Sequence, residues 1–284
     1  MNLKTGLKSI IKKITKHKTT YKIGQHEILI PKGHALPIYQ KKYKLYDRFL
    51  PILCKKISSN KIIIDVGANI GDTTIAITQE CENPIFFFYL SSLYFPYLEK
   101  NILHYTDKNK IKIFKNFIGT GLYSGELNHT LNGTASVNIS KKTTSSMPIR
   151  LDKIIEDHSE IILIKVDVDG FDYDVLNSAE KILKESQPIL YWENDINEDF
   201  QVSGFKDLYL QLSKIGYNHI FIFDNFGNFI TEESNFETLT KLNSYVYSMA
   251  KNSQNRTIYY TDILATTDQN YSVAKESIEE YKKI

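Results

Sequence analysis

The segment DVGANIGDT, residues 65–73, decides the fold that the sequence predicts. It begins inside the run KIIIDV, residues 61–66, and a continuous apolar run of this kind is typical of a parallel strand covered on both faces. Gly67 and Gly71 permit close approach of the backbone to a ligand, and the helix predicted next would offer free N–H groups to a carboxylate. The segment therefore predicts a strand, a ligand-binding loop and a helix in succession.

The glycine loop differs from the loop that binds dinucleotides. Ala68 and Asn69 occupy the positions where a GxGxxG pyrophosphate loop has its second glycine. A structural alternative stays open, in which the segment is a tight strand-to-helix turn and Asp72 caps the helix.

Strand and helix patterns alternate along the rest of the chain, which implies right-handed crossovers and a doubly wound sheet. The sequence thus predicts an α/β fold with a mostly parallel, seven-stranded sheet, and ligands bind at the carboxyl ends of such strands. A hairpin is predicted at 224–227 and a polar, turn-rich insert at 120–146. The predicted strands are 61–66, 85–90, 111–114, 161–166, 189–192, 219–223 and 258–264, and the predicted helices are 72–80, 95–104, one from Leu151, 173–184 and 205–215.

The N-terminal part predicts a basic amphipathic helix over 1–22, because lysines alternate with Leu and Ile at helical spacing. Such a helix is either a solvated terminal helix or a peripheral contact with a membrane surface. A strand over 21–30 and a helix over 45–57 follow. We therefore expect a basic helix and small cap over 1–57 and a core domain over 58–284.

Composition is typical of a globular protein and does not indicate nucleic-acid binding. Of 284 residues, 42% are hydrophobic and 24% charged, and the net charge of +2 is too small to indicate nucleic-acid binding. The two cysteines have no metal-ligand spacing, so no zinc site is expected and a reducing cytoplasm fits. No apolar run approaches the ~20 residues that span a bilayer.

Acidic residues follow the fourth and fifth predicted core strands. Asp167 and Asp169 flank Val168, and strand alternation would place both on one side. Two close carboxylates raise one another's pKa, which suits one of them to general-base catalysis. They could instead hold Mg or Mn against a nucleotide-sugar diphosphate, as in glycosyltransferases, or cap the next helix. Glu193 would lie on the rim of the same pocket or make a structural hydrogen bond.

Five motifs together resemble the FkbM-type methyltransferases in order and spacing, from about Leu36 to the last strand. They are DVGANIGDTT (65–74), LEKN (98–101), RLDKII (150–155), IKVDVDGFDYDVLNSA (164–179) and PILYWEND (188–195). The resemblance implies a class I, Rossmann-like methyltransferase fold that binds S-adenosylmethionine. It also implies O-methyl transfer to a hydroxyl of a sugar or glycan acceptor.

The resemblance assigns roles to individual residues. It implies that Asp169 or Glu193 takes the proton of the acceptor, that the glycine loop and Asp167 lie at the methionine end of the cofactor, and that 116–118 lie against the adenine. The full set implied to bind the cofactor is Asp65, Gly67, Ala68, Asn69, Gly71, Asp72, Thr73, Tyr89, Asn116, Phe117, Ile118 and Asp167.

Tyr89 departs from the family pattern. The family usually has Glu-Pro at the end of the second strand, where the carboxylate accepts both ribose hydroxyls, and this chain has Tyr89-Leu90. A phenol makes at most one such bond, so the loss of binding free energy is on the order of 2 to 4 kcal/mol, or about 30- to 1000-fold in affinity.

Two other functions stay open. One is a non-catalytic binding or scaffold protein with a methyltransferase fold, and the other is a metal-dependent glycosyltransferase that uses Asp167 and Asp169.

Overall fold

The computed structural model describes residues 18–57, 59–89, 93–122, 125–129, 135–139, 147–252 and 256–284. The strands are β1 (Lys18–Ile23), β2 (His26–Pro31), β3 (Ile62–Val66), β4 (Ile85–Phe88), β5 (Ile111–Phe114), β6 (Gly125–His129), β7 (Ala135–Ile139), β8 (Ile161–Val166), β9 (Ile189–Asn194), β10 (His219–Asp224), β11 (Phe229–Glu233) and β12 (Thr261–Thr266). The helices are α1 (Leu36–Lys42), α2 (Phe49–Lys56), α3 (Asp72–Thr78), α4 (Phe95–Tyr105), α5 (Leu151–Ile154), α6 (Asp172–Asn177), α7 (Glu180–Glu185), α8 (Asp199–Ile215), α9 (Glu237–Asn252) and α10 (Asp268–Tyr281).

The central sheet has eight strands in the order β5-β4-β3-β8-β9-β12-β10-β11. The first five are parallel, whereas β12 is antiparallel to both of its neighbours, β9 and β10. The chain winds outward from β3 in one direction and from β8 in the other, so the topological switch point lies between these two strands. The predicted α/β fold with a mostly parallel, doubly wound sheet is confirmed.

The predicted number of seven strands is wrong by one. The hairpin predicted at 224–227 is present, and its second arm, β11, pairs with β10 and adds an eighth strand at the edge. The strand β11 was not predicted because its five residues, FITEE, follow a turn and include only two apolar side chains.

Alternating residues of the central strands supply two separate hydrophobic cores, one on each face of the sheet. Ile63 and Leu163 belong to the core that packs under the cap, and their neighbours Ile64 and Ile164 belong to the opposite core. All four side chains are fully buried. The strands therefore require helices on both faces, as their unbroken apolar runs predicted.

The N-terminal cap differs from its prediction. The strand predicted over 21–30 is a hairpin of β1 and β2, because Gly24 takes a φ of 56° and turns the chain back. Residues 18–22, predicted to end the basic helix, lie in β1, and 1–17 lie outside the described residues. The helix predicted over 45–57 begins only at Phe49, and α1 was not predicted. Membrane contact through 1–22 stays a prediction.

Asn101, the last residue of the LEKN motif, joins the cap to the glycine loop. Its amide accepts from Leu29 N–H (2.7 Å) and donates to the carbonyl oxygens of Leu29 (2.9 Å) and Ile70 (2.8 Å). Asn101 is buried, so these bonds compensate for the loss of water at its amide. The domain boundary between 57 and 58 stays a prediction.

One predicted helix needs correction, and two long helices were missed. The helix predicted over 173–184 is two helices, α6 and α7, and the long helices α9 and α10 were not predicted. The insert at 120–146 contains the hairpin β6–β7.

In the described part of the chain, no helix is both long and apolar enough to cross a bilayer.

Candidate active site

A cavity of about 580 Å³ lies at the carboxyl ends of the parallel strands, beside the switch point. All but two of the residues predicted to bind cofactor or to catalyse line it. The lining residues among them are Gly67, Ala68, Asn69, Asp72, Thr73, Tyr89, Asn116, Phe117, Ile118, Asp167, Asp169 and Glu193. Asp65 and Gly71 lie outside the lining, and the role of each residue in binding stays a prediction.

The conformation of the glycine loop depends on backbone positions that favour glycine. Gly67 has a φ of 92°, and a Cβ placed on it would lie 1.8 Å from the carbonyl oxygen of Asp167. Only glycine therefore lets the end of β3 pass so close to the end of β8. Gly71 has a φ of 85°, and a Cβ on it would meet Leu98 of α4 at 3.0 Å, so it serves packing. Gly71 also occupies the N-cap position of α3, so the capping alternative for Asp72 is wrong.

Asp65 holds a buried lysine beneath the loop. Lys165 Nζ lies 3.0 Å from Asp65 Oδ1 and 3.4 Å from Asp167 Oδ2, and it donates to the carbonyl oxygen of Gly67 at 3.2 Å. Thr74 donates to the other Asp65 oxygen at 2.8 Å. Burial alone would lower the pKa of Lys165, but Asp65 and Asp167 outweigh it and hold the pKa above its ordinary value. The sequence missed this lysine, which lies one residue before the end of β8.

Tyr89 follows β4 directly, at the position that the sequence analysis gave it. Its side chain is only 7% exposed and its ring stacks on Phe95 of α4, with centroids 4.1 Å apart and planes 10° apart. Burial, more than the nearby charge of Glu99, raises the pKa of its phenol. Tyr89 is thus part of the core beneath the cap as well as of the cavity wall.

Carboxyl groups on neighbouring strands face the cavity. Glu193 of β9 lies directly opposite Asp262 of β12. Like charges at such positions are unfavourable. Burial, reinforced by Asp167 among other charges, raises the pKa of both groups well above the ordinary range. Burial also raises the pKa of Asp72 and Asp195 to about 6.

Strand alternation does not explain the placement of Asp167 and Asp169. β8 ends at Val166, Asp169 has a φ of 53° and Gly170 has a φ of 91°, so the chain turns through left-handed backbone here. Both carboxylates nevertheless line the cavity. Neither caps α6, whose N-cap is Phe171 and has no side-chain bond.

The structure gives the glycosyltransferase hypothesis no support. Over the described ranges there is no group of three or more His, Cys, Asp or Glu side chains that could hold a metal ion.

The RLDKII motif has a structural role. Arg150 donates two hydrogen bonds to Asp152 (2.7 and 3.1 Å) and one to Asn177 O of α6 at 3.2 Å.

The far wall of the cavity comes from three segments that the sequence analysis did not assign to the site. They are 34–50 of the cap, the hairpin turn 225–227 and the segment 256–262, which ends in the first two residues of β12. Because β12 is antiparallel, the residues before its start lie at the same edge as the carboxyl ends of β8 and β9. That rule could have identified Tyr259, Tyr260 and Asp262 from sequence.

Aromatic rings are concentrated on this far wall. Tyr43 stacks on Phe226 with centroids 3.9 Å apart, and Tyr39 stacks on Tyr46 at 5.3 Å. Arg256 lies over the Tyr259 ring at 4.7 Å. The far wall therefore carries stacked aromatic rings in addition to the carboxylates of Asp47 and Asp262.

The description "Methyltransferase FkbM domain" belongs to the family model that matches residues 65–219, more than half of the chain. The chain belongs to the FkbM methyltransferase family. The matched residues include the glycine loop, Tyr89, Asp167 and Glu193.

Several solved structures are similar to this FkbM chain at low identity. The FkbM methyltransferase from Methylobacillus flagellatus KT is 14% identical, with 73% of this chain and 44% of that chain covered and a TM-score of 0.38. An O-methyltransferase from Bacillus cereus in complex with SAH is 13% identical, with 82% and 89% covered and a TM-score of 0.45. Precorrin-6y C5,15-methyltransferase from Geobacter metallireducens GS-15 is 9% identical, with 81% and 96% covered and a TM-score of 0.41. The comparison with curated proteins gave no match.

Proposed function

We propose that this FkbM-family protein transfers a methyl group from S-adenosylmethionine to a hydroxyl group of a sugar or glycan. The observation that carries the proposal is the glycine loop, where Gly67 brings the end of β3 against the Asp167 backbone at the mouth of a cavity of about 580 Å³. Cavities of this size suit small molecules, and the switch point is where α/β sheets bind them.

The residues that line the cavity suit the methionine end of the cofactor better than its ribose. Gly67, Ala68 and Asn69 line the cavity just before the N-terminus of α3, where backbone N–H groups favour a carboxylate. Lys165 adds a fixed positive charge beneath this loop. At the ribose position Tyr89 offers a single hydroxyl on a ring packed against Phe95, so the contact there is weaker than a carboxylate's.

When bound, S-adenosylmethionine supplies an electrophilic methyl group on a sulfonium centre. The chain would position the acceptor so that its oxygen forms the new C–O bond as the C–S bond breaks, with the hydroxyl proton passing to a carboxylate. Asp169 and Glu193 line the cavity and stay candidates for that carboxylate. Burial, reinforced by the charges of Asp167 and Asp195, raises the pKa of the Glu193 carboxyl well above its ordinary value.

The aromatic far wall supports a sugar as acceptor. Tyr43, Phe226 and Tyr259 line this wall, and aromatic rings can pack against the C–H groups of a sugar while nearby polar groups bind its hydroxyls. Asn197, which donates to Asp195 at 2.8 Å, lines the same wall.

Methyl transfer is tested with isotopically labelled S-adenosylmethionine and a panel of sugars, nucleotide sugars and oligosaccharides, with products measured by mass spectrometry. We expect a labelled methyl ether on at least one acceptor. No transfer to any of them would contradict the sugar assignment. Calorimetry with S-adenosylhomocysteine is the companion measurement, and no binding at millimolar ligand would favour a non-catalytic binding protein.

A further inference from the structure

The segment 43–48 holds one acidic residue in an uncommon backbone conformation. Two turns follow each other, closed by Tyr46 N–H to Tyr43 O and Arg48 N–H to Leu45 O, both at 3.2 Å. Asp47, inside the second turn, has a φ of 57°. Left-handed backbone at a residue other than glycine costs energy and is concentrated at functional sites.

The turn that carries Asp47 is held by contacts with other segments of the cavity wall. The Tyr281 hydroxyl at the end of α10 lies 2.9 Å from Leu45 O and 2.6 Å from Gly227 O. A Cβ on Gly227 would lie 2.3 Å from Leu45 O, so the hairpin turn and the cap segment are in direct contact. The stacked rings of Tyr43 and Phe226 join the same two segments.

Asp47, on the far wall, interacts electrostatically with groups of both walls. The charges of Asp72 and Asp167 act on it from the glycine-loop side, and its own charge acts on Tyr260 and Asp262 on the far wall. Its side chain is open to the cavity, whereas that of Glu193 is half-buried. The titratable or charged groups in electrostatic reach of it are Tyr46, Arg48, Asp72, Lys165, Asp167, Tyr191, Tyr260, Asp262 and Tyr281.

We propose that Asp47 is a catalytic residue, whose carboxylate takes the proton from the acceptor hydroxyl as the methyl group is transferred. This inference rests on the proposed function. The acceptor oxygen forms a bond to the methyl carbon, the C–S bond breaks with its electron pair passing to sulfur, and the hydroxyl proton moves to the Asp47 carboxylate.

Asp47 suits this role better than Glu193. Enclosure by the surrounding protein, reinforced by Asp72 and Asp167 and opposed by Lys165 and Arg48, raises the pKa of Asp47 to about 8. A general base works best with a pKa near the working pH, and Glu193 is less accessible to an acceptor because it is half-buried directly opposite Asp262. Because the base must be deprotonated, the transfer rate should rise as the pH rises through about 8.

The test replaces Asp47 by asparagine, which keeps the shape of the side chain and tolerates left-handed backbone. The probes are labelled S-adenosylmethionine and the sugar that the wild-type protein methylates fastest. In Asp47→Asn we expect kcat to fall by about 100-fold or more, the size typical of a lost general base. We expect KM for the sugar and affinity for S-adenosylhomocysteine to stay within about threefold, and the rise in rate near pH 8 to disappear.

The control is Asp207→Asn, the same chemical change on the exposed face of α8 outside the cavity. Asp47→Gly is a second variant that is free of strain at positive φ, and it should lose as much activity. The inference is overturned if either folded variant keeps more than about a tenth of wild-type kcat, or if the rise near pH 8 persists. Absence of transfer by the wild-type protein would instead refute the proposed function, on which the inference depends.

Discussion

The two walls of the cavity are built in opposite ways. The glycine-loop wall comes from short segments at the ends of β3, β4, β5 and β8, each within a few residues of its strand. The far wall comes from the cap, the hairpin turn and the start of β12, which are distant in sequence. The segments of the first wall directly follow adjacent parallel strands, whereas those of the second wall come from separate parts of the fold.

The difference shows in what each wall tolerates. At Gly67 any side chain would collide with the Asp167 backbone, which cannot move without shifting β8. At Asp47 the backbone is also left-handed, but asparagine and glycine adopt it readily. Substitutions on the first wall should therefore abolish binding, whereas those on the second should change rate or stability.

Gly67→Ala should have the largest effect. Its Cβ would lie 1.8 Å from the Asp167 carbonyl oxygen, so the loop must move away from the end of β8. We expect affinity for S-adenosylhomocysteine to fall by more than about 100-fold, equivalent to about 2.7 kcal/mol, in calorimetry.

Gly33→Ala is the matched control. Gly33 has a φ of 89°, close to that of Gly67, but a Cβ there meets nothing within 4 Å. Both variants carry the strain of a side chain at positive φ, and only one carries the collision. Equal affinity in the two variants would show that the loop does not determine binding.

The sequence predicted elements well where burial is continuous along the chain. β8 has the predicted bounds because it begins with four consecutive apolar residues, as in a strand covered on both faces, and the edge strand β5 has the predicted bounds although Lys112 interrupts its apolar residues. The helices α9 and α10 were not predicted, because each buries only a few side chains against the fold and is otherwise polar. The cap hairpin was missed because the left-handed turn at Gly24 interrupts a pattern that looks like one strand.

The residues of the site also fall into two groups, those that could be predicted from the sequence and those that could not. Asp167 and Glu193 could be predicted because both follow buried strands whose carboxyl ends share an edge. Lys165 was missed because its partner Asp65 is 100 positions away, on the neighbouring strand β3. Asp47 was missed because it lies in a cap turn far from the core strands in sequence, and the neighbouring Leu45 carbonyl is bonded by Tyr281 near the other end of the chain.

Tyr89→Glu and Tyr89→Gln test the altered position within the first wall. The two substitutions lose the same ring stacking on Phe95 and differ only in the carboxylate. A carboxylate can accept two ribose hydroxyls, so Tyr89→Glu should bind S-adenosylhomocysteine about tenfold more tightly than Tyr89→Gln, a difference of about 1.4 kcal/mol.

Thermal unfolding provides a second readout on the same pair. Both variants should melt below the wild-type protein, because each removes a side chain that is 7% exposed and stacked in the core. Equal affinities of the glutamate and glutamine variants would show that the end of β4 does not contact the ribose.

Tyr281→Phe should have the smallest effect, and it tests how the second wall is held. The change keeps the ring that packs on Phe49 and removes the hydroxyl that bridges Leu45 O and Gly227 O. Losing about 1 kcal/mol of hydrogen bonding should lower Tm by about 2 to 4 °C in a chain of this size. If the hydroxyl also positions Asp47, kcat should fall about threefold while the affinity for S-adenosylhomocysteine is unchanged. Tyr245→Phe, the same change on an exposed ring of α9, should alter neither quantity. A fall in Tm without any change in kcat would leave Tyr281 with a purely structural role, and Asp47 would then be held by its own turn.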